Sequence, residues 1–175
     1  GTGSQHRPTL FAMNTAATHP PEELEAEHDV VILGGGFTGV YCAKALVSAL
    51  GSKAKSMRIA IVSEENYMVF QPMLPEVAGA SLSPRVVINP IRQLCKGCEV
   101  YKGEVESVDV KRRRVRLKAG IFAGSREIRF RHLMLSLGAN VDLKRTPGMA
   151  EHAFMMSTVG DAMKLRSAII SRLEE

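Results

Sequence analysis

The stretch Val30-Val31-Ile32-Leu33-Gly34-Gly35-Gly36-Phe37-Thr38-Gly39 decides the fold of this 175-residue chain. Val30 to Leu33 is a continuous apolar run rich in β-branched residues, the pattern of a strand buried on both faces of a parallel sheet. Gly34 to Gly39 then reads G-x-G-x-x-G. Val40, Ala43, Leu46, Val47 and Leu50 recur at helical spacing, and Gly51 stands where that helix should stop. A second apolar run follows, Ile59-Ala60-Ile61-Val62. Strand, glycine turn, helix and strand make a βαβ unit, whose crossover is right-handed.

Each motif glycine has a physical task. Gly34 permits the tight turn out of the strand, Gly36 leaves room for a pyrophosphate at the backbone, and Gly39 lets helix and strand pack closely. Phe37 and Thr38 open the helix, whose free N–H groups and dipole suit phosphates. In this strand–turn–helix–strand context the motif reads as a dinucleotide site, against the blander reading of a glycine-rich turn without ligand. No Gly-Lys-Ser/Thr follows the turn, which excludes a P-loop. A carboxylate at the end of the second strand normally meets the ribose of the adenosine half. Ser63, Glu64 and Glu65 are the candidates. Ser63 directly follows the apolar run, and Glu64 is the favoured acidic partner. No arginine stands there to meet a 2′-phosphate, which argues against NADP at this site.

Outward from this unit the reading loosens. Residues 1–28 are expected to form a disordered arm: Gly1-Thr2-Gly3-Ser4 resembles a tag scar, and Pro8, Pro20, Pro21 and the polar run to His28 show no period. Residues 63–87, with Pro72, Pro75 and Pro84, are expected as loop with short helical pieces, and a short helix is expected over Pro90–Leu94. Glu99–Tyr101, Val105–Val110, Val115–Leu117 and Ile128–Phe130 read as short strands of an antiparallel meander. Leu133–Leu137 reads as a separate buried strand ending at Gly138. Thr158 with Asp161 is a capping-box pattern for a last helix carrying Leu165, Ile169 and Leu173 on one face. The fold class is therefore α/β, a parallel βαβ sheet with a small antiparallel β-meander.

Hydrophobic residues at 45% and charged residues at 23% exclude a wholly disordered chain. No run approaches the roughly 18 apolar residues of a spanning helix. Three cysteines cannot build a disulfide framework, so a reducing compartment is the default. The formal charge of +5 is unevenly spread. Lys111, Arg112, Arg113, Arg114, Arg116 and Lys118 crowd one hairpin, with Arg126, Arg129 and Arg131 beyond. Such a stripe suits nucleic acid or an anionic membrane surface, but a solvated hairpin is the favoured reading. Aromatic residues do not interleave the densest run, and no nucleic-acid partner is expected.

Asn66-Tyr67-Met68-Val69-Phe70-Gln71-Pro72-Met73-Leu74-Pro75-Glu76-Val77-Ala78 resembles the Asn-Tyr-His-Leu-Phe-Gln-Pro-Leu-Leu-Tyr-Gln-Val-Ala block of type II NADH dehydrogenases, within the FAD-dependent pyridine nucleotide oxidoreductases. Leu82-Ser83-Pro84, Pro90-Ile91-Arg92, Gly103-Glu104-Val105, Leu133 to Ala139 and Val159-Gly160-Asp161-Ala162 extend the similarity from about Asp29 to the end of the chain. The resemblance implies a Rossmann-like FAD-binding domain, part of a flavoprotein with two dinucleotide-binding domains. Residues 29–157 would be the first part of the FAD domain, and 158–175 a helix leading to an NADH-binding domain absent here. It implies FAD at Gly34–Gly39, the segment Gln71–Glu76 near the flavin, the backbone around Val105 against the adenine, and Gly138 close to the cofactor. It further implies a hydride passed from NADH to FAD and on to a quinone. The location would be cytoplasmic, peripheral on the inner membrane face through an absent C-terminal segment, with a homodimer among the expectations. The chain alone is expected to bind FAD weakly or not at all, and not to oxidise NADH. No catalytic residue and no metal ligand is assigned. Sulfide:quinone oxidoreductase, which needs cysteines flanking the flavin, and a non-catalytic nucleotide-binding module are the alternatives.

Cys95-Lys96-Gly97-Cys98 is a lone C-x-x-C that ends a helix rather than beginning one, so structural thiols are expected. Cys42, His132, His152 and the methionine-rich positions Met68, Met155 and Met156 are likewise expected to be structural.

Overall fold

The computed structural model describes residues 27–118, 126–139 and 141–174. The expected arm lies outside these residues except for its last two, and the first strand already starts at His28. In chain order come β1 (His28–Leu33), α1 (Phe37–Leu50), a 3-10 stretch Gly51–Ser56, β2 (Ile59–Ser63) and β3 (Tyr67–Val69). Next are α2 (Leu74–Ala78), β4 (Ile88–Pro90), α3 (Ile91–Leu94), β5 (Glu99–Lys102), β6 (Val105–Asp109) and β7 (Arg114–Leu117). The chain continues with β8 (Arg126–Leu135), α4 (Met149–His152) and α5 (Val159–Leu173).

Six strands form one sheet in the order β5-β2-β1-β8-β7-β6, and β3 pairs with β4 in a separate antiparallel ribbon. β1 and β2 are parallel neighbours in the register Val30↔Ile59 to Leu33↔Val62, as the two apolar runs imply. Alternate residues of the central strands enter different cores. Val31, Leu33, Ala60 and Val62 pack with Val115, Leu117, Ile128 and Phe130 of the meander. Ile32, Ile59 and Ile61 pack with Val40 and Ala43 of α1, Ile91 of α3 and Cys95 just after it. Both faces are thus covered, which is why these strands are apolar throughout rather than alternating. A third cluster joins Leu74, Val77 and Ala78 of α2 to Ala162 of α5.

Three expectations are corrected. Ile128–Phe130 and Leu133–Leu137 are not two strands. They are one ten-residue strand, β8, which pairs antiparallel with β7 through Arg126–Arg129 and then parallel with β1 from Phe130 onward. Its last part is not buried: Leu135 is 62% exposed and Leu137, just beyond it, 60%. Glu99–Tyr101 does not belong to the meander, because β5 lies parallel to β2 at the sheet edge. His132 is exposed, and His152 ends the short helix α4. The region 63–87 does contain short helical pieces, but it also supplies β3, whose Met68 lies opposite Asn89 of β4.

At the end of the sheet where β1 begins, His28 is fully buried, with its Nε2 3.2 Å from the Glu99 carboxylate and 3.3 Å from the Tyr101 hydroxyl. Arg58 donates two hydrogen bonds to Glu99, at 2.9 and 2.8 Å. This guanidinium holds the Glu99 carboxyl down at about 2, against the opposing effect of partial burial and with help from Tyr101 and His28. At α5 the expected capping box forms: Thr158 Oγ1 accepts from Asp161 N at 3.1 Å, and the Asp161 carboxylate accepts from Thr158 N at 2.9 Å. Burial pushes the Asp161 carboxyl up, but the bonds from Thr158 and Ser157 outweigh it and leave its pKa lowered.

Two outcomes follow. Glu99 has a folded-state pKa depressed from 4.5 to about 2, so its contribution is complete above about pH 4.5 and is lost as pH falls through 2. Urea unfolding of Glu99→Gln should show lower stability than wild type at pH 7 and a smaller loss between pH 5 and pH 2. Equal acid sensitivity of the two proteins would refute this. Asp161→Ala should cost about 1 kcal/mol, the usual value of a lost helix cap. Thermal melts would check it, and an unchanged midpoint would count against the cap as a stabilising element.

Candidate functional site

The turn after β1 brings three stretches of chain within a methyl group's width. Gly34 has φ +114°, and a Cβ there would lie 2.1 Å from the Ser136 carbonyl oxygen. A Cβ on Gly39 would lie 1.9 Å from the Gly34 carbonyl oxygen. Both positions exclude side chains for reasons of packing. Ser136 closes the junction: its N–H donates to Leu33 O at 2.8 Å and its Oγ to the same oxygen at 2.7 Å. Gly36 is different. Nothing lies within 4 Å of a Cβ built there, and its φ of −78° is open to any residue. The space over Gly36 is therefore free on the side of the helix start.

A cleft of about 860 Å³ opens over this turn. It is lined by Gly34, Gly36, Phe37 and Thr38 at its floor, by Ser63, Glu64 and Glu65 at the end of β2, and by Gly103, Glu104 and Val105 where β5 passes into β6. Leu135, Ser136, Leu137 and Gly138 form the wall at the end of β8. Gly39 is buried beneath the floor and does not line the cleft. Apart from Gly39 the sequence-derived candidates thus converge, though they come from four separate stretches of chain. Of the segment 71–76 only Gln71 reaches the cleft, and its Nε2 donates to Ser157 O at 3.0 Å, joining two lining residues.

The walls differ in chemistry. α1 carries no side-chain cap on Gly36 and no acidic residue in its first turn, so its first N–H groups and the positive end of its dipole face the cleft without competition. On the β2 side stand the carboxylates Glu64, Glu65 and Glu104. Glu65 lies 3.9 Å from Lys102, and Glu104 takes a hydrogen bond from Lys118, which raises the lysine's pKa. On the β8 side the wall is apolar, with the exposed Leu135 and Leu137. Gly138 has φ +74° and open space where a Cβ would sit.

Two contributors were not singled out in the sequence. Gly35 occupies a variable position of the motif, yet a Cβ there would meet Ser63 Oγ at 2.3 Å and Ile91 Cδ1 at 2.5 Å. Ser136 fixes the turn through backbone acceptors, which no local pattern announces. Cys42, Cys95 and Cys98 all lie off the cleft wall, and none lines it. Burial pushes the Cys95 thiol up and the Cys98 thiol to about 11, so both stay protonated at neutral pH. Met68 lines the cleft and also packs in the core, while Met156 packs against the α2 cluster. Among the described residues no group of His, Cys, Asp and Glu is arranged to hold a metal ion. No described helix is long and apolar enough to cross a membrane.

Comparison with known proteins places this geometry. The chain is 28% identical over 155 residues to the mitochondrial external alternative NAD(P)H-ubiquinone oxidoreductase B1 of Solanum tuberosum, covering 83% of this chain and 26% of that protein. It spans about a quarter of the length of the curated relatives it matches. Its fold matches NDH2 from Plasmodium falciparum with a TM-score of 0.72 at 22% identity, over 85% of this chain and 30% of that one. The sulfide:quinone oxidoreductase of Aquifex aeolicus gives a TM-score of 0.71 at 19% identity, over 85% of this chain and 33% of that one. The family profile described as pyridine nucleotide-disulphide oxidoreductase runs from residue 28 to residue 173, nearly the whole described chain, and the chain belongs to that family.

Proposed function

We propose that this chain is the FAD-binding part of a flavoprotein that passes a hydride from NADH to FAD and on to a quinone. The observation that carries the reading is the order of chemistry across the cleft. Carboxylates stand after β2, free N–H groups stand over β1, and an apolar wall stands beyond β8. Neighbouring strands are about 4.8 Å apart, so β2 and β8, which flank β1, lie about 10 Å apart. In this reading Glu64 accepts from the ribose hydroxyls with Ser63 beside it, and the backbone near Val105 flanks the adenine. The N–H groups of Phe37 and Thr38 receive the phosphates over Gly36. Gly138 lets the chain pass close to the flavin beside Leu135 and Leu137. FAD, once bound, supplies the two-electron chemistry. The chain's own residues bind and orient it.

NADH and quinone enter from the activities by which the relatives are named, and with them the placement of residues 29–157 as the first part of the FAD domain and of 158–175 as the lead to an NADH-binding domain. A homodimer and a peripheral membrane position belong to the same proposal. The sulfide:quinone alternative gains nothing from this site, because none of the three cysteines lines it.

Titration of the 175-residue chain with FAD, followed by flavin fluorescence, tests the reading. Affinity should be weaker than about 1 μM, since the contacts offset only part of the cost of ordering a long cofactor. Gly36→Val should weaken it at least tenfold with an unchanged melting temperature, because its side chain enters open space that the pyrophosphate needs. Gly39→Ala should lower the melting temperature itself, since its Cβ would meet the Gly34 carbonyl oxygen at 1.9 Å. Retained affinity in Gly36→Val would overturn the site, and submicromolar affinity of wild type would overturn the expectation that the chain holds only part of it. Oxidation of NADH by this chain above a flavin-only control would show that it is a complete catalytic unit.

A further inference from the structure

The hairpin between β6 and β7 carries a charge distribution that the cleft does not use. Its last pair is Asp109↔Arg114, and residues Val110 to Arg113 form the turn. The turn is held in place at several points. Arg112 N–H donates to Asp109 Oδ1 at 2.8 Å, Arg113 adopts φ +55°, and its carbonyl accepts from Phe130 N–H at 3.0 Å. Lys111, Arg112 and Arg113 are exposed at this fixed tip. The outer face behind it adds Arg114, Arg116 and Arg129, placed side by side by the registers Arg114↔Arg129 and Arg116↔Glu127.

Two carboxylates accompany these six cations, and neither neutralises the tip. Glu127 is only 7% exposed and lies 2.8 Å from Arg114 and 3.9 Å from Arg116, so its charge is spent inside the face. Asp109 is engaged by the turn backbone and Arg112. Lys111, Arg113 and Arg129 meet no carboxylate among the described residues. At the same tip Val110 is 68% exposed, an apolar side chain set directly beside three cations.

We propose that this hairpin tip docks the protein on an anionic lipid bilayer, with Val110 entering the headgroup layer and Lys111, Arg112 and Arg113 pairing with lipid phosphates and carboxylates. Cations around an exposed apolar residue match a surface that is negative outside and apolar beneath. Nucleic acid fits less well, since among the described residues no aromatic side chain stands on this face to stack a base. The orientation is compatible with the cleft. β6 runs from Val105, which lines the cleft, to Asp109 at the tip, about 13 Å away along the strand. The tip and the cleft are therefore separate surfaces, joined by β6. The proposal does not depend on which cofactor the cleft takes.

Cosedimentation of the 175-residue chain with vesicles tests it, using phosphatidylcholine alone or mixed with phosphatidylserine. Binding should require phosphatidylserine and fall steeply when salt rises from about 0.05 to 0.5 M. Each basic residue near such a surface is worth about fivefold in partitioning, so Lys111→Ala/Arg112→Ala should lose about 25-fold. Val110→Asp should also weaken binding. Lys53→Ala/Lys55→Ala removes the same charge from an exposed stretch elsewhere and should change binding less than about twofold. Equal losses in the two double variants would show that net charge alone acts. That result would overturn the proposal, as would equal binding to phosphatidylcholine, no binding to phosphatidylserine vesicles at low salt, or tighter binding of duplex DNA than of vesicles under the same salt.

Discussion

The approach of Gly34, Gly39 and Ser136 is the constraint on which the rest of this structure depends. A side chain at either glycine would overlap backbone, at 2.1 Å for Gly34 and 1.9 Å for Gly39. Without one, the start of α1 comes to rest on the end of β1, and the end of β8 is drawn in beside both. Ser136 then satisfies Leu33 O through its N–H and its hydroxyl. Three consequences follow from this contact. α1 is aimed so that its N-terminus overlooks the cleft, β8 becomes the parallel neighbour of β1, and the meander attached to β8 is carried across the sheet to cover its second face. The cleft exists because these segments meet at their ends and diverge above.

What the sequence made legible was whatever has a local cause. The apolar runs of β1 and β2, the glycine turn, the stop of α1 before Gly51 and the Thr158–Asp161 cap each follow from a few neighbouring residues, and each stands where the sequence put it. β8 was misread because its pattern is interrupted. Arg129, Arg131 and His132 are exposed, and they break an apolar strand in two on paper. In space the strand merely changes partners at Phe130, from β7 to β1, so its outward face changes as well. β5 carries Glu99 and Lys102 as an edge strand can, and nothing local tells an edge of the parallel sheet from a rung of the meander. β3 and β4 pair across a proline-rich stretch, and only the tertiary fold decides that pairing. At the site the same division holds. Gly36 and Glu64 are readable by motif, whereas Gly35 is required by Ser63 and Ile91, which come from β2 and α3.

Charged groups were placed where each could be met. Burying an unpaired ion is costly, and a buried pair recovers that cost only with good geometry. Glu99 meets Arg58 through two bonds and also accepts from Tyr101. Glu127 sits between Arg114 and Arg116. These arrangements use up carboxylates within the fold, and the meander's remaining cations stay on its surface. The basic stripe visible in the sequence is therefore exposed along most of its length, and three of its cations stand together at one turn.

The two ends of the parallel sheet show why ligand chemistry belongs to one of them. At the end where β1 begins, Arg58, Glu99, Tyr101, Asp29 and Nε2 of His28 are bonded to partners, with only Nδ1 of His28 left without one: Asp29 accepts from Arg58 N–H at 2.9 Å and from Arg131 at 3.2 Å. An incoming group there would have to displace bonds already made. At the other end the first N–H groups of α1 have no intrahelical acceptor, Gly36 leaves its surroundings open, and Leu135 and Leu137 remain exposed. Each of these unmet demands, hydrogen-bond donors on one side and apolar surface on the other, is relieved by a molecule that is anionic in its middle and apolar at one end. The carboxyl ends of parallel strands are where open α/β sheets bind ligands. Here that preference has a direct cause, since the chain has already spent its polar partners at the opposite end.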